Sequence, residues 1–581
     1  MARIYRNNVV PEIELPNLDL LTLLLDSEQG VAQPDTVLHV DANDPSNRLT
    51  KADLIDLTQR IAHGLRTHYS VGAQGPNKDV VTVMSYGQIM VPAVFFGVVA
   101  AGGIYSAASP SSTVSELARQ ISIGNSNLII CSAEHRDVVT AAARQCRVPL
   151  ERVLVLESSP RRTLVSLGTN RNVVSAEKLA WQRITDPKAL KDSVITILWS
   201  SGTTGLPKGV QLSHLNLVAE TVIVNYFGRR WAAAEMEKGT FQPMEYRTLG
   251  HLPISHIAGL FGYLCMPVYN GGTVYWMRRY KWADLLKYAK EYKITAFYTV
   301  PSIFLRISKS PEVQDHFKYV EAASTGAAPM DAQLQQASNR RLGNGQDTYI
   351  GQTWGLSETT GAVTAPVKGE FDITGSISPI LPNVELRIVD DDYKDVEPGQ
   401  EGELLIRSPL VMNGYYNNEQ ATKEAFVDLK DGGGKWFCSG DIGVIRDGKF
   451  YVVDRKKELL KFKGLQIAPA EIENLLFTHP AVSEAAVVGV PAPDDPGTDW
   501  PRAYVVRADS SSSNDESKLR QELLKFVADR LAQHKQLRGG IVFVNEIPKN
   551  AIGKFLRREL RDRAKREVAV ERGVGKEKAR L

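Results

Sequence analysis

Helix-like and strand-like patterns alternate along most of the 581-residue chain. Short runs rich in β-branched residues, such as 80–83 (VVTV), 127–130 (NLII) and 193–198 (SVITIL), are separated by stretches long enough for helices. Strands of a buried parallel sheet carry such continuous apolar runs, and helices connect them. The pattern therefore predicts an α/β protein with layered, largely parallel sheets. From about residue 375 the pattern turns towards β-structure, with VELRIVD and EGELLIRS separated by turn residues.

The clearest domain boundary follows a predicted strand at 450–453. The next residues, 454–457 (DRKK), are charged enough to lie at a surface hinge. Beyond them we predict a helix from Pro469, strands in AAVVGV, RAYVVR and GGIVFVNEIP, and a helix over 517–531. A chain of this length exceeds one compact core. We therefore predict a large domain at 1–454 and a small α/β domain at 455–581.

Composition excludes several classes of protein. Hydrophobic residues make up 43% and charged residues 23% of the chain, and the net charge of +3 gives no case for nucleic-acid binding. The four scattered cysteines form no C-x-x-C pair, which fits a reducing compartment and argues against a structural zinc site. The apolar segment 89–108 contains Pro92 and three glycines, so we expect a buried helix rather than a membrane span. The N-terminus lacks the apolar core of a secretory signal.

The most informative segment is 200–209 (SSGTTGLPKG), which follows a predicted strand. Its four hydroxyls and three glycines allow backbone N–H groups and side chains to surround an anion, and Lys208 adds positive charge. The spacing of a Walker A loop is absent. A flexible surface loop is the alternative that composition alone leaves open.

The full string SSGTTGLPKGV resembles the adenylate-forming superfamily, within it the 4-coumarate–CoA ligase and acyl-CoA synthetase branch. The resemblance extends over nearly the whole chain, and implies layered α/β subdomains plus a small β-barrel, followed by a small mobile C-terminal domain. It also implies ATP, Mg²⁺ and coenzyme A as co-substrates. The residues that it assigns to the ATP phosphates are Ser200, Ser201, Gly202, Thr203, Thr204, Gly205 and Lys208.

A second segment, 351–359 (GQTWGLSET), contains groups suited to a nucleotide. Trp354 could stack on adenine, Ser357 could bond a phosphate oxygen, and Glu358 offers an oxygen ligand for Mg²⁺. Taken singly, these residues could equally be a buried Trp, a capping Ser and a surface Glu. In order they resemble the family's Y-G-x-[ST]-E motif, which also assigns Gln352 and Thr353 to the nucleotide site.

A third pair is Asp441, in 439–441 (SGD), and Arg455, fourteen residues further on. A carboxylate can accept both ribose hydroxyl protons, although an Asp after glycine is more often a turn residue. The resemblance to the family's T-G-D motif, together with this spacing, implies that both residues contact the ribose.

The segment 548–557 (PKNAIGKFLR) matches the family's P-x-x-x-x-G-K-x-x-R motif, which implies that Lys554 is catalytic. When a carboxylate attacks the α-phosphorus of ATP, two anions approach each other and charge builds on the phosphate oxygens. A point cation between them stabilises that transition state more than the separated reactants. A lysine in a basic tail would otherwise be merely solvated.

The run 457–466 (KELLKFKGLQ) resembles the loop that enters the site in the second half-reaction. The resemblance implies Lys457 at the hinge, Lys461 and Gln466 near the adenylate, and Lys463 and Gly464 along the pantetheine tunnel. By a weaker match, Arg279 would meet the phosphates of coenzyme A.

The resemblance further implies an acyl pocket. Its residues would be His256, Ala258, Ala327 and Thr353, with His256 at the entrance. A satisfied core histidine is the alternative for His256. Coumarate ligases usually have a bulky residue at the position of Ala258, so the expected acid is another aryl acid or a medium-chain acid rather than plain coumarate.

These features predict an acid–thiol ligase that forms an acyl-adenylate and passes the acyl group to coenzyme A. Three alternatives stay open: an adenylating enzyme with a carrier protein or another acceptor, a general ATPase or kinase, and a non-catalytic binding protein. The final residues, Ala579, Arg580 and Leu581, resemble the Ser-Lys-Leu class of peroxisomal addresses. They predict recognition by the peroxisomal import receptor, and a cytoplasmic location without it.

Overall fold

The computed structural model describes residues 2–200, 207–343, 348–462, 465–493, 495, 498–508, 515–549 and 554–571. The strands, in chain order, are β1 (Val37–Asp41), β2 (Arg48–Thr50), β3 (Val80–Met84), β4 (Ile104–Ala108), β5 (Leu128–Ser132), β6 (Val153–Glu157), β7 (Thr163–Ser166), β8 (Val194–Ser200), β9 (Lys208–Ser213), β10 (Arg247–Gly250), β11 (Thr273–Trp276), β12 (Ala296–Thr299), β13 (Ala322–Thr325), β14 (Ile350–Gln352), β15 (Trp354–Leu356), β16 (Gly361–Thr364), β17 (Glu385–Val389), β18 (Gly402–Arg407), β19 (Phe426–Val427), β20 (Trp436–Arg446), β21 (Lys449–Arg455), β22 (Leu460–Phe462), β23 (Leu465–Ile467), β24 (Val482–Pro491), β25 (Asp499–Arg507) and β26 (Ile541–Phe543).

Helices connect and cover these strands. The α-helices are α1 (Lys51–Tyr69), α2 (Met90–Ala100), α3 (Val114–Ile123), α4 (Arg136–Gln145), α5 (Pro187–Asp192), α6 (His214–Glu237), α7 (Ile257–Leu260), α8 (Met266–Asn270), α9 (Trp282–Glu291), α10 (Pro301–Lys309), α11 (Ala332–Asn339), α12 (Glu419–Glu424), α13 (Pro469–Phe477), α14 (Glu516–Ala528) and α15 (Arg557–Glu571). Several begin at residue types that typically cap helices. Thr50 forms a capping box with Asp53 at α1, and Ser213 forms one with Asn216 at α6.

The largest sheet has the strand order β7-β6-β5-β3-β4-β8-β9. Its central strands β6, β5, β3, β4 and β8 pair in parallel, and the three apolar runs singled out in the sequence lie in β3, β5 and β8. Every residue of α2 is buried, which places the apolar segment around Pro92 inside the core as expected. Among the described residues, no helix has the length and apolar character that a membrane crossing requires.

The large domain also contains two smaller sheets. One has the order β10-β11-β1-β2 and the other the order β12-β13-β14, with parallel pairing in the second. The change of pattern after residue 375 corresponds to antiparallel β17-β18-β20-β19 with β21 on β20, the predicted small β-subdomain. The predicted α/β fold with layered subdomains is confirmed.

The C-terminal part contains a separate small core. Strands β24-β25-β26 form a sheet, and apolar residues of α13 and α14, including Ile472, Leu476 and Leu523, pack on it. The helix predicted from Pro469 is α13, and the one predicted over 517–531 is α14. β21, which ends at Arg455, belongs to the five-stranded sheet of the large domain, while the small core includes residues from Leu460 onward. The domain boundary at 454/455 stays a prediction.

Candidate active site

The hydroxyl-rich segment 200–209 begins in β8 and ends in β9, and these two strands pair with each other. Ser200, the last residue of β8, lies opposite Lys208, the first residue of β9. The Oγ atom of Ser200 is buried and has no hydrogen-bond partner among the described residues. Ser201, Gly202, Thr203, Thr204 and Gly205 lie outside the described residues, so their role stays a prediction. The described flanks still fix where this segment leaves the sheet.

Lys208 belongs to a cluster that joins the first two predicted segments. Its Nζ atom lies 4.9 Å from the centre of the Tyr415 ring, and the Tyr415 hydroxyl donates a hydrogen bond of 3.0 Å to Oε1 of Glu358. Burial, and then the charge of Glu358, raises the pKa of Tyr415, so the phenol keeps its proton and acts as donor. Glu358 follows Ser357 in a single 3₁₀ turn. Tyr415 thereby links Lys208 to Glu358.

Sequence reasoning missed Tyr415. The residue is positioned by strand pairing, because Tyr416 N donates to Gly209 O at 2.7 Å and Val210 forms an antiparallel bridge with Tyr415. Gly414 before two tyrosines indicates a turn with aromatic residues. Nothing in the sequence spacing of Tyr415 connects this residue with Lys208.

The predicted ribose pair is preformed in the β-subdomain. Asp441 lies directly opposite Arg455 in the β20–β21 pairing, with Oδ1 at 3.0 Å from Arg455 Nε. The Trp354 indole N–H donates a hydrogen bond of 2.8 Å to Oδ2 of Asp441. Oδ1 accepts no hydrogen bond from the part of the chain that the structure describes. Trp354 therefore holds Oδ2 of the carboxylate by a hydrogen bond, and Oδ1 forms an ion pair with Arg455.

This arrangement gives Trp354 a different contact from the one predicted. The residue is only 7% exposed, and its indole orients the Asp441 carboxylate. A ring this buried offers little open face to adenine. Stacking of adenine on Trp354 therefore stays a prediction.

Gln352 and Thr353 organise a neighbouring loop. The Gln352 amide accepts from Met330 N at 2.9 Å and donates to Met330 O at 2.8 Å, so both ends of the side chain are used inside the protein. Thr353 donates to Thr325 O through its N–H at 2.8 Å and through Oγ1 at 3.2 Å. Ala327, on the same loop, is exposed and has a left-handed φ of +68°. Direct contact of the Gln352 side chain with a nucleotide therefore stays a prediction.

His256 lies at the start of α7. Its Nδ1 accepts a hydrogen bond of 3.2 Å from Ala258 N, which leaves the proton of the neutral ring on Nε2. Burial, and then the charge of Lys554, lowers the pKa of His256 to about 4. His256 is therefore neutral at physiological pH, with Ala258 two residues further along the same helix.

Lys554 comes from the small domain and lies among the large-domain residues just described. Burial, and then the charge of Arg455, lowers the pKa of Lys554 to about 8, while the charge of Asp441 acts in the opposite direction. The flanks of its motif pair with each other, since Leu556 N donates to Pro548 O at 2.8 Å. The structure thus brings together Lys554, Asp441, Arg455 and His256 from sequence segments up to 298 residues apart.

The residues predicted for the second half-reaction lie elsewhere. Lys461 and Gln466 are exposed and face each other across the β22–β23 hairpin, and Lys457 is exposed just after β21. The pKa of Asp391 is lowered first by Lys456 and last by Lys461, which places Lys461 near Asp391. Lys463 and Gly464 lie outside the described residues, so their role stays a prediction.

Arg279 lies on the surface of the large domain. Its guanidinium is 4.5 Å from the Tyr86 ring centre, beside a cleft of about 230 Å³ that Arg278 and Lys281 also line. The cluster of positive charge suits an anionic group. No described contact joins Arg279 to the Asp441 site.

Comparisons with known proteins show the family to which the chain is similar. The family model described as AMP-binding enzyme matches residues 27–416, and the model of the AMP-binding enzyme C-terminal domain matches residues 471–554. A protein of Emericella nidulans named as an acyl-coenzyme A synthetase is 46% identical, over 95% of this chain and 97% of that protein. A phenylacetyl-CoA ligase of Aspergillus niger is 32% identical, over 95% of this chain and 98% of that protein.

A solved structure shows the shared fold. ATP-bound MatB from Rhodopseudomonas palustris is 24% identical and has a TM-score of 0.78, over 94% of this chain and 99% of that one. The chain belongs to the AMP-binding enzyme family, so the predicted superfamily is confirmed. The predicted class, an AMP-forming acid–thiol ligase, agrees with the names of its relatives and is likewise confirmed.

Proposed function

We propose that this chain joins an aryl or medium-chain carboxylic acid to ATP as an acyl-adenylate, in a step assisted by Lys554, and then transfers the acyl group to coenzyme A. The observation that carries this proposal is the position of Lys554. A lysine of the small domain lies within electrostatic reach of Asp441, Arg455 and His256 in the large domain. A ligand that spans these groups needs anionic and sugar-like parts, as acyl-AMP has.

Activation solves a chemical problem. A free carboxylate resists thiol attack because its charge repels nucleophiles and oxide is a poor leaving group. In the proposed first step, a carboxylate oxygen bonds to the α-phosphorus and pyrophosphate leaves; in the second, the thiol sulfur bonds to the acyl carbon and AMP leaves. The Lys554 ammonium stabilises the negative charge that builds during the first step.

The large domain supplies the binding groups. The Ser200 hydroxyl and Lys208 lie where the hydroxyl-rich segment leaves the sheet and are proposed to contact phosphates. Asp441 is proposed to accept ribose hydroxyl protons at Oδ1, with Arg455 beside it. Trp354 supports this role by fixing Oδ2.

Glu358 is the residue proposed to hold Mg²⁺. Among the described residues, no group of three or more His, Cys, Asp or Glu side chains is arranged for a metal. That fits Mg²⁺, which is usually bound through one or two carboxylates, substrate phosphates and water. When bound, the ion neutralises charge on the phosphates. Tyr415 orients the Glu358 carboxylate by donating to Oε1.

His256, Ala258, Ala327 and Thr353 are the proposed acyl-pocket residues. The small side chains of Ala258 and Ala327 support a pocket shaped for an acid other than plain coumarate. Similarity to a phenylacetyl-CoA ligase supports an aryl acid.

The test is pyrophosphate release measured over aryl, short-, medium- and long-chain acids, each with and without coenzyme A. We expect AMP and pyrophosphate as products, acyl-CoA only when coenzyme A is present, and the highest kcat/KM for an aryl or medium-chain acid. ADP as product would exclude the ligase proposal. A sharp optimum for coumarate would contradict the pocket assignment, and AMP release independent of coenzyme A would indicate another acyl acceptor.

Peroxisomal import is proposed from the sequence Ala579-Arg580-Leu581, which lies outside the described residues. A fluorescent fusion that retains these three residues is expected to enter peroxisomes, and the fusion that lacks them is expected to stay in the cytoplasm. The same distribution for both fusions would contradict the proposal.

A further inference from the structure

A lysine at the end of α10 connects the two domains. The Nζ atom of Lys309 donates hydrogen bonds to two backbone carbonyl oxygens of the small domain, Phe477 O at 2.8 Å and Val482 O at 2.7 Å. Phe477 is the last residue of α13, and Val482 is the first residue of β24. One ammonium group thus binds the turn that joins this helix to its sheet.

The contact matches the electrostatics of a helix end. The last carbonyl groups of an α-helix have no partner within the helix, and they form the negative end of its dipole. A lysine near them both donates hydrogen bonds and complements the dipole. Here the lysine comes from the other domain, so α13 has this C-terminal partner only when the small domain is docked.

The large domain also binds the other end of α13. Ala470 N, in the first turn, donates a hydrogen bond of 3.1 Å to Oδ2 of Asp454. Asp454 belongs to β21, in the five-stranded sheet of the large domain. A carboxylate at the N-terminus and an ammonium at the C-terminus are the polarity that the helix dipole favours. The large domain therefore fixes both ends of this nine-residue helix.

A chain of contacts leads from α13 to Lys554. Glu473, in the middle of α13, forms a two-point ion pair with Arg557, with Nη2 at 2.8 Å from Oε2. Arg557 also donates to Val487 O at 3.1 Å. It is the first residue of α15 and follows Lys554 by three positions. The position of α13 thereby sets the position of Lys554.

We propose that Lys309 is a positioning residue for acyl-adenylate formation: by capping α13 across the domain boundary, it docks the small domain so that Lys554 lies at the phosphate site. The inference rests on the proposed function for its kinetic consequence. Lys309 touches no substrate group and acts through α13, Glu473 and Arg557. Any state in which the small domain rotates away from α10 loses both of its hydrogen bonds.

The kinetic test compares three variants with the wild-type chain. Lys309→Met keeps the length of the side chain and removes its donors, and Lys309→Arg restores donors and charge. Lys290→Met is the matched control, because Lys290 is also an exposed large-domain lysine but pairs with Asp315, within its own domain, at 2.7 Å. We expect Lys309→Met to reduce kcat for adenylation about tenfold, because the variant loses two charge-assisted hydrogen bonds at a partly exposed site. The KM for ATP is expected to stay nearly unchanged.

The other half-reaction provides the discriminating measurement. Transfer of supplied acyl-AMP to coenzyme A is expected to be unchanged in Lys309→Met, Lys309→Arg is expected to recover most of the adenylation rate, and Lys290→Met is expected to behave as wild type. Equal losses in both half-reactions, or an unchanged adenylation rate, would overturn the positioning role.

A second measurement, hydrogen exchange, does not depend on enzymatic activity. Hydrogen exchange of the full chain without substrates is followed in peptides that cover residues 470–482. We expect several-fold faster exchange there in Lys309→Met and no change in Lys290→Met, because the end of α13 loses its partner. Unchanged exchange would overturn the docking contact. If the wild-type chain releases no pyrophosphate with any acid, the proposed function fails, and the exchange result alone decides the docking claim.

Discussion

The proposed ribose cluster and the Lys554 site are built in opposite ways. Asp441 and Arg455 lie opposite each other on adjacent strands of one sheet, and Trp354 binds the same carboxylate from the same domain. Lys554 instead reaches the site from another domain, through α13, Glu473 and Arg557. One region is fixed by the fold of the large domain, whereas the other depends on docking. The difference teaches that the groups proposed to bind the nucleotide are preorganised, whereas the cation proposed to be catalytic is positioned by domain docking.

This comparison predicts which variants separate the two half-reactions. A change in the ribose cluster weakens nucleotide binding and therefore affects every step in which the adenylate is held. A change in the delivered group affects only the step that needs the cation.

The largest effect is expected for Lys554→Ala. Removing a group that stabilises charge in the transition state typically reduces kcat by about 10²–10³, and we expect a loss of that order in acyl-AMP formation. Transfer of supplied acyl-AMP to coenzyme A is expected to stay close to wild type. The two half-reactions are measured separately by pyrophosphate release and by acyl-CoA formation. Equal loss in both assays would contradict the division of roles.

The next largest effect is expected for Asp441→Asn. This change keeps the shape of the side chain but leaves Arg455 without its partner charge in a site where Asp441 is 5% exposed. We expect the KM for ATP to rise by about one to two orders of magnitude, in keeping with the loss of a charged group that binds a hydroxyl. The affinity for acyl-AMP should fall as well. Glu397→Gln, at an exposed ion pair with Arg3, serves as the control and should change neither value.

A smaller effect is expected for Trp354→Phe. The variant keeps an aromatic ring but removes the N–H that donates to Asp441 Oδ2 at 2.8 Å. A hydrogen bond to a charged group contributes about 1.5–3 kcal/mol, so the KM for ATP should rise about tenfold or more. The kcat of adenylation should change little. A drop in kcat with constant KM would show that the tryptophan acts on the reacting groups.

The smallest effect is expected from pH. The pKa of Lys554 is lowered to about 8, so its ammonium form predominates below pH 8 and is lost above it. The adenylation rate of the free enzyme should therefore fall by a few-fold between roughly pH 7.5 and 8.5, while transfer from acyl-AMP changes less. His256, with a pKa of about 4, does not titrate in this range. A profile that rises over the same interval would contradict a catalytic ammonium.

The sequence predicted local features well. The strands of the main sheet follow from continuous apolar runs, and the start of α13 follows from Pro469. The spacing between Asp441 and Arg455 also had a local cause, because the chain between them forms a β-hairpin that places the two residues opposite each other. Their role in binding came from family resemblance, since a glycine followed by Asp does not by itself indicate a ribose site.

Long-range contacts were not predictable. Tyr415 reaches Glu358 across 57 positions, and Lys309 reaches Phe477 across 168. A lysine at the end of a helix usually indicates only a solvated charge that complements its own helix dipole. For Gln352 the sequence motif predicted a contact with the nucleotide, whereas the structure shows its amide bonded to the backbone of Met330. Such partners depend on how distant segments pack.

The most direct test is a crystal structure with ATP and an acid that cannot react. The account predicts the Lys554 Nζ atom at hydrogen-bonding distance, about 3 Å, from an α-phosphoryl oxygen, with segment 200–209 around the phosphates and Lys309 bound to Phe477 O. An ammonium far from the α-phosphate while ATP occupies the site, or a phosphate chain that makes no contact with segment 200–209, would contradict the account.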